Sequence, residues 1–243
     1  MNRILFEKDE IDDGFVSFSD ERAEHVLKIL HGEVGQTLKT GEVNGLIGTS
    51  EIVLIKGKTV RVKVNHTEES LKPWIDLILA PPRPRVMKRL LPQLATMGVN
   101  RITLVGAKKV EKDFWGATLL REENFRPLLV EGLMQAGTSI LPEVRLEKSF
   151  NRYLKSGIDE YDGYTKIVAH PYKSETSDTQ HSNFLLHTSQ APKVLAIGPE
   201  GGWTDEEVAA LEERGFTRYS LGERILRTDT ATIALLARLD ATR

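Results

Sequence analysis

The sequence predicts an α/β protein: a mainly parallel sheet with helices on both faces, preceded by a small β-rich domain. Three observations carry this. From Trp74 onward, short apolar runs alternate with helical patterns, which is how βαβ units build a parallel sheet. Before that point, short β segments follow one another, punctuated by Gly41, Asn44, Gly45 and Gly57. The stretch 194–243 reads as strand, glycine-rich loop, capped helix, strand, irregular loop and helix.

Length and composition agree with this. A chain of 243 residues with 40% hydrophobic content suits one large domain or two smaller ones. No run approaches a membrane span, and MNRILFEKDE is too polar for a signal peptide. The absence of cysteine excludes disulfides and thiolate metal sites and fits a cytoplasmic protein. The histidines at 25, 31, 66, 170, 181 and 187 show no ligand spacing, so no metal is expected. The net charge of -2 is uneven: residues 1–70 carry -4, 71–160 carry +5 and 161–243 carry -3. A nucleic-acid partner would meet a basic patch in the middle of the chain rather than a basic protein.

Within the small domain, residues 1–70, Phe15–Ser17 is a short strand. Ser19 is the expected cap of a helix from Asp20 to Leu30, with Gly32 at its stop. Strands follow at Gln36–Thr40, Leu46–Thr49, Ile52–Ile55 and Thr59–Val64. The last alternates, with Val60, Val62 and Val64 on one face and Arg61 and Lys63 on the other. Residues 66–73, HTEESLKP, are polar and proline-terminated, and read as a linker to the domain 74–243. There the strand candidates are Ile75–Ala80, Arg101–Val105, Glu143–Leu146, Lys166–Ala169, Val194–Ile197 and Thr217–Leu221. Between the first two lies a basic stretch with Arg83, Arg85, Lys88 and Arg89 at a strand end and helix start, where phosphate is favoured. Pro92 inside that helical pattern predicts a kink or a late start.

The glycine-rich loop, Gly198–Gly202, lets backbone approach a ligand closely. Taken alone it reads more readily as an ordinary tight strand-to-helix turn. Thr204 and Glu207 form a capping box, and Asp205, Glu206 and Glu207 crowd the positive end of the helix, which argues against a phosphate there. Neither the dinucleotide fingerprint nor the P-loop spacing is present. The second loop, Leu221–Arg227, carries apolar Ile225 and Leu226 where polar turn residues are usual; such residues cover either the core or a flat ligand. Thr228 is the expected N-cap of a last helix, Asp229–Leu239, apolar nearly all round and so buried on more than one face, by core packing or by a subunit interface.

The two motifs IGPEGGWTDEEV and LGERILRTDTATIALLA, at this separation, resemble the 16S rRNA (uracil-N3)-methyltransferase family, the RsmE type, within the SPOUT class of S-adenosylmethionine-dependent enzymes. The resemblance implies a C-terminal trefoil knot, a PUA-like RNA-binding barrel over residues 1–70, a homodimer, and 16S rRNA or the small ribosomal subunit as partner. It implies a cofactor site made by His170, Pro171, Ile197, Gly198, Pro199, Gly201, Gly202, Leu221, Gly222, Ile225, Leu226 and Thr230, with Arg3, Arg83, Arg85 and Arg89 as RNA contacts. The chain departs from the family pattern at Arg83–Val86, Ala95-Thr96, His31 and Thr138, and Asp229 replaces the usual glutamate. The alternatives are another RNA, such as tRNA, as substrate of the same machinery, or a ribosome-assembly factor that binds RNA without turnover.

The chemistry selects two further residues. Removing the N3 proton of uracil spreads negative charge onto two carbonyl oxygens, which calls for a fixed cation nearby. Arg227 ends the cofactor loop and cannot lose its proton. Glu200 is expected to orient Arg227, or to accept the proton if burial raises its pKa.

Overall fold

The computed structural model describes residues 2–171 and 191–240; His181 and His187 lie outside the described residues. The chain forms two compact units. One takes in residues up to Lys72 together with Leu129–Leu141; the other takes in Pro73–Leu128 and the chain from Pro142 onward.

The first unit is built on a five-stranded sheet. Its strands are β1 (Ile4–Phe6), β2 (Phe15–Phe18), β3 (Thr37–Glu42), β4 (Ile47–Lys56) and β5 (Thr59–Glu68), in the order β1-β3-β4-β5-β2. β1 pairs parallel to β3 and the other pairs are antiparallel. Two expected strands, 46–49 and 52–55, are one strand with a register shift between Ile52 and Leu54. The bulge interrupts the alternation that a sequence reading relies on. β5 continues to Glu68, so the first three residues of the expected linker are strand. Val60 and Val62 are fully buried with Phe6, Phe18 and Ile52, and Val64 packs partly against them.

The helix after β2 is α1 (Glu21–Glu24), which passes into a π-helical turn at His25–Ile29 closed by Leu30 N–H to the His25 carbonyl at 3.0 Å. Asp20, not Ser19, is its cap, accepting the Arg22 N–H at 2.9 Å. The carboxylate wins because it also pairs with the Arg22 side chain at 2.7 Å, which a serine hydroxyl could not do as an ion. Gly32 serves close packing: a Cβ there would sit 2.7 Å from Val26 Cγ1, while the positive φ, 49°, belongs to His31.

Arg3 is a clamp inside this unit. Its guanidinium donates to the carbonyls of Gly137 at 2.9 Å, Thr40 at 2.7 Å and Gly48 at 2.8 Å, and burial holds its pKa below the usual arginine range. Arg3, expected among the RNA contacts, spends three of its five donors on the backbone of its own unit.

The second unit holds a six-stranded, wholly parallel sheet. Its strands are β6 (Ile75–Leu79), β7 (Val99–Val105), β8 (Glu143–Glu147), β9 (Thr165–Ala169), β10 (Lys193–Ile197) and β11 (Thr217–Tyr219), in the order β11-β9-β10-β6-β7-β8. Its helices are α2 (Pro84–Thr96), the start of α3 (Glu122–Ala136), whose residues from Leu129 belong to the first unit, α4 (Phe150–Ser156), α5 (Asp205–Glu213) and α6 (Thr228–Asp240). Ile78, Val194, Ala196 and Val168 face α4 and α5 across a core that includes Phe150, Trp203, Val208 and Leu211. Leu77 and Leu79 alternate onto the opposite face and are equally buried, and α2 packs on β7 and α6. The mixed α/β fold with a parallel sheet is as the alternation predicts.

Three local expectations change. α2 begins at Pro84 rather than late and runs through Pro92, whose carbonyl accepts the Thr96 hydroxyl at 2.9 Å. Thr228 is the first residue of α6, not its cap; the Arg227 carbonyl accepts the Ala231 N–H at 2.8 Å. In the single chain α6 buries one stripe, Thr228, Thr232, Leu235, Leu236 and Leu239, rather than several faces, because alanines hide the polarity of its outer side from a hydropathy reading. No helix among the described residues is long and apolar enough to cross a membrane.

Candidate functional site

The chain leaves β6 outward through β7 and β8, then returns on the other side of β6 to lay down β9, β10 and β11. The crevice at the carboxyl ends of strands around such a reversal is where open α/β sheets bind ligands. Three loops meet there: His170-Pro171 after β9, Gly198–Gly202 after β10, and the stretch from Ser220 after β11. His170 is drawn in by its N–H on the Tyr219 carbonyl at 3.1 Å.

The loops enclose a cleft of about 420 Å³. Of the cofactor residues expected from sequence, His170, Pro171, Ile197, Gly198, Pro199, Gly201, Gly202, Leu221, Gly222, Ile225 and Leu226 line it. Thr230 does not; it is exposed on α6, its N–H on the Asp229 carboxylate at 3.0 Å. The sequence reading missed Lys109, Trp203, Asp205, Tyr219, Arg224 and Thr228, which also line the cleft. Lys109 comes from the distant β7 loop and carries no local motif, so no signal in the sequence marked it.

The Gly198–Gly202 turn closes through Gly202 N–H to the Pro199 carbonyl at 2.8 Å, with Gly202 at φ 66°. A Cβ on Gly198 would lie 2.7 Å from the Trp203 nitrogen, so backbone passes where a side chain would be. The capping box behind the turn is formed as predicted: Thr204 Oγ1 accepts the Glu207 N–H at 3.2 Å, and Glu207 Oε2 accepts the Thr204 N–H at 2.9 Å. Glu207 does more than the sequence suggested. Its buried carboxylate also accepts the Lys108 N–H at 2.7 Å, tying the β7 loop to the turn. Lys109 Nζ then donates to the Gly201 carbonyl at 2.7 Å. By contrast the 221–227 loop is exposed throughout, Ile225 at 90%, so its apolar residues do not cover the core of the chain.

A second cleft, of about 330 Å³, adjoins the first and shares Glu200, Ile225, Leu226 and Thr228 with it. Arg83, Val86, Arg227 and Asp229 complete its lining. Here the expected pairing changes. Glu200 is exposed and its carboxylate accepts the Arg83 backbone N–H at 2.9 Å, while Arg227 Nε lies 3.7 Å from Asp229. The burial on which proton acceptance by Glu200 was to depend is therefore absent in the single chain. Arg83 Nε is held by Glu111 at 2.9 Å; that bond, and the charge of Glu200 with it, hold its pKa above the ordinary value. Arg89 reaches Asp229 at 3.4 Å, and Arg85 is exposed. Among the described residues no group of three or more His, Cys, Asp or Glu side chains is arranged to hold a metal.

A glycine-walled cleft beside a cationic one, on a parallel sheet, suits transfer of a small group between two bound molecules. Known proteins agree. The RNA methyltransferase domain profile matches residues 67–240. Ribosomal RNA small subunit methyltransferase E of Treponema pallidum is 30% identical, over 98% of this chain and 90% of its own length. A methyltransferase of Legionella pneumophila solved with bound SAM superposes with a TM-score of 0.73 at 27% identity, covering 99% of this chain and 97% of that one. The Neisseria gonorrhoeae ribosomal RNA small subunit methyltransferase E bound to S-adenosyl methionine has the same fold, with a TM-score of 0.75 at 22% identity, covering 99% and 97%. With more than half its length matched by the domain profile and nearly all of it aligned to a relative, the chain belongs to the RNA methyltransferase family.

Proposed function

We propose that this protein methylates 16S rRNA of the small ribosomal subunit with S-adenosylmethionine, and that the acceptor is N3 of a uridine. The observation that carries the reading is the pairing of the two clefts: one with glycine backbone and apolar walls, the other adjoining it with Arg227 at its edge.

The cofactor fits the residues present. Gly198 lets the turn fold tightly onto the Trp203 backbone and present its own main chain at the cleft wall, Leu221, Ile225 and Leu226 offer apolar cover to a flat adenine, and the acidic first turn of α5 disfavours a phosphorylated ligand. When bound, S-adenosylmethionine supplies a methyl group already activated on a sulfonium. The 198–202 and 221–226 backbones would hold it, and the apolar side chains would exclude water from the reacting atoms. Arg227 would stabilise the charge that grows on the uracil carbonyl oxygens as N3 passes its proton to solvent on the exposed side of Arg227. The base must leave any stack to come within reach. Glu200, bonded to the Arg83 N–H at the start of α2, would steady the entrance of the second cleft rather than orient Arg227.

The exposed Ile225, Leu221 and Leu226 give a homodimer something to bury. The return of β9–β11 beside β6 is compatible with a trefoil knot, and the compact β sheet of the first unit with a PUA-like RNA-binding barrel in a cytoplasmic enzyme. The test is transfer of labelled methyl to purified small subunits, with nucleoside analysis of the product. Absence of label from 16S rRNA would refute the reading, and label in tRNA would replace its substrate.

A further inference from the structure

We infer that Asp229 is the positioning residue for Arg227, a role the chain gives to the first turn of α6 and not to the glycine loop. The inference rests on the methyl-transfer reading and deepens it. Arg227 has a long side chain, 71% exposed, whose free rotamers would keep the guanidinium away from any one place most of the time. Asp229 lies two residues on, 22% exposed, and is itself fixed: Oδ1 accepts the Thr230 N–H at 3.0 Å, and Oδ2 lies 3.4 Å from Arg89 Nη2 on α2. The two arginines therefore take one oxygen each of the same carboxylate, Arg227 through Nε at 3.7 Å. That approach leaves the terminal nitrogens of Arg227 without partners among the described residues, on the edge of the second cleft. Glu200 is committed elsewhere, to the Arg83 N–H.

The test compares variants in single turnover, with cofactor and small subunits saturating and rates normalised to the cofactor-binding stoichiometry, so that misfolded molecules do not count. Asp229→Asn is expected to lower the methyl-transfer rate about three- to tenfold with cofactor Kd unchanged, the scale of an exposed ion pair plus lost orientation. Asp229→Glu is expected to restore the rate to within about twofold. In an Arg227→Ala background, Asp229→Asn should have no further effect, since a positioning residue has nothing left to position. The same loss in both backgrounds, or a wild-type rate for Asp229→Asn, overturns the inference. An inactive wild-type protein overturns the methyl-transfer reading instead, and is recognised before any variant is compared.

Discussion

Gly198→Ala tests the cofactor cleft most directly. An added Cβ would stand 2.7 Å from the Trp203 nitrogen, 3.0 Å from the Gly202 carbonyl carbon and 3.2 Å from Gly202 Cα. Ordinary contacts between such atoms lie at about 3.5–4.0 Å. The deficit falls on backbone, and the backbone cannot retreat: Trp203 is 2% exposed and packs on Phe150 with ring centroids 5.5 Å apart. The turn must open instead, and binding must close it again. Overpacking of this kind costs about 1.5–3 kcal/mol, which raises the cofactor Kd about 10- to 100-fold. Calorimetric titration with S-adenosylmethionine reads the change, and a thermal melt shows that the fold persists. Gly201→Ala is the comparison. Its Cβ would meet Lys109 Cδ at 2.9 Å, part of a flexible side chain that can swing aside, at the loss of one hydrogen bond. A weakening of no more than about fivefold follows. Wild-type affinity for Gly198→Ala, or equal losses for both variants, would refute the reasoning.

Other expected outcomes concern the second cleft and the two cores. Arg227→Ala should lower kcat for subunit methylation by about 10²–10³-fold with cofactor Kd unchanged, because Arg227 lines the second cleft only; a normal kcat removes it from the mechanism. Asp76 is 2% exposed, and burial lifts its pKa despite Asn100 at 2.8 Å, because Arg101 lies closer to Glu143 and Glu160 (2.9 and 2.8 Å) than to Asp76 (3.3 Å). A raised carboxyl is penalised only when ionised: no penalty below its unfolded pKa, growing as pH rises through the folded value. Asp76→Asn should therefore gain urea resistance relative to wild type as pH rises above the ordinary carboxylate range, and an opposite slope contradicts the assignment. His66 runs the other way. Burial first, then Arg3, lower its pKa, and its Nε2 sits 2.8 Å from Thr40 Oγ1, so the folded chain resists protonation and loses stability as pH falls from the unfolded value through the folded one; His66→Gln should flatten that acid limb in a pH series of melts. Arg3→Ala, which strands three backbone carbonyls, should cost about 2–3 kcal/mol in the unfolding of the first unit, seen as a lower urea midpoint; an unchanged midpoint would return Arg3 to the surface.

Much of this was legible in the residues themselves. Strand and helix order from Ile75 onward, the Thr204–Glu207 capping box and the glycine turn are local properties, set by hydropathy period, short-range hydrogen bonds and allowed φ, and each appears within a residue or two of its expected bounds. Eleven residues that line the first cleft were expected from the family resemblance of their motifs, while Lys109, Trp203, Asp205, Tyr219, Arg224 and Thr228 were not. What depended on the third dimension is every pairing across the chain. Arg3 reads as a free cation until the fold carries the Gly137, Thr40 and Gly48 carbonyls around it. Lys109 reads as surface until β7 sets it against Gly201, and Glu200 meets the backbone N–H of Arg83 rather than Arg227, while Asp229 lies between Arg227 and Arg89. A side chain's partner is decided by which distant backbone arrives within about 3 Å, and no spacing along the sequence records that distance.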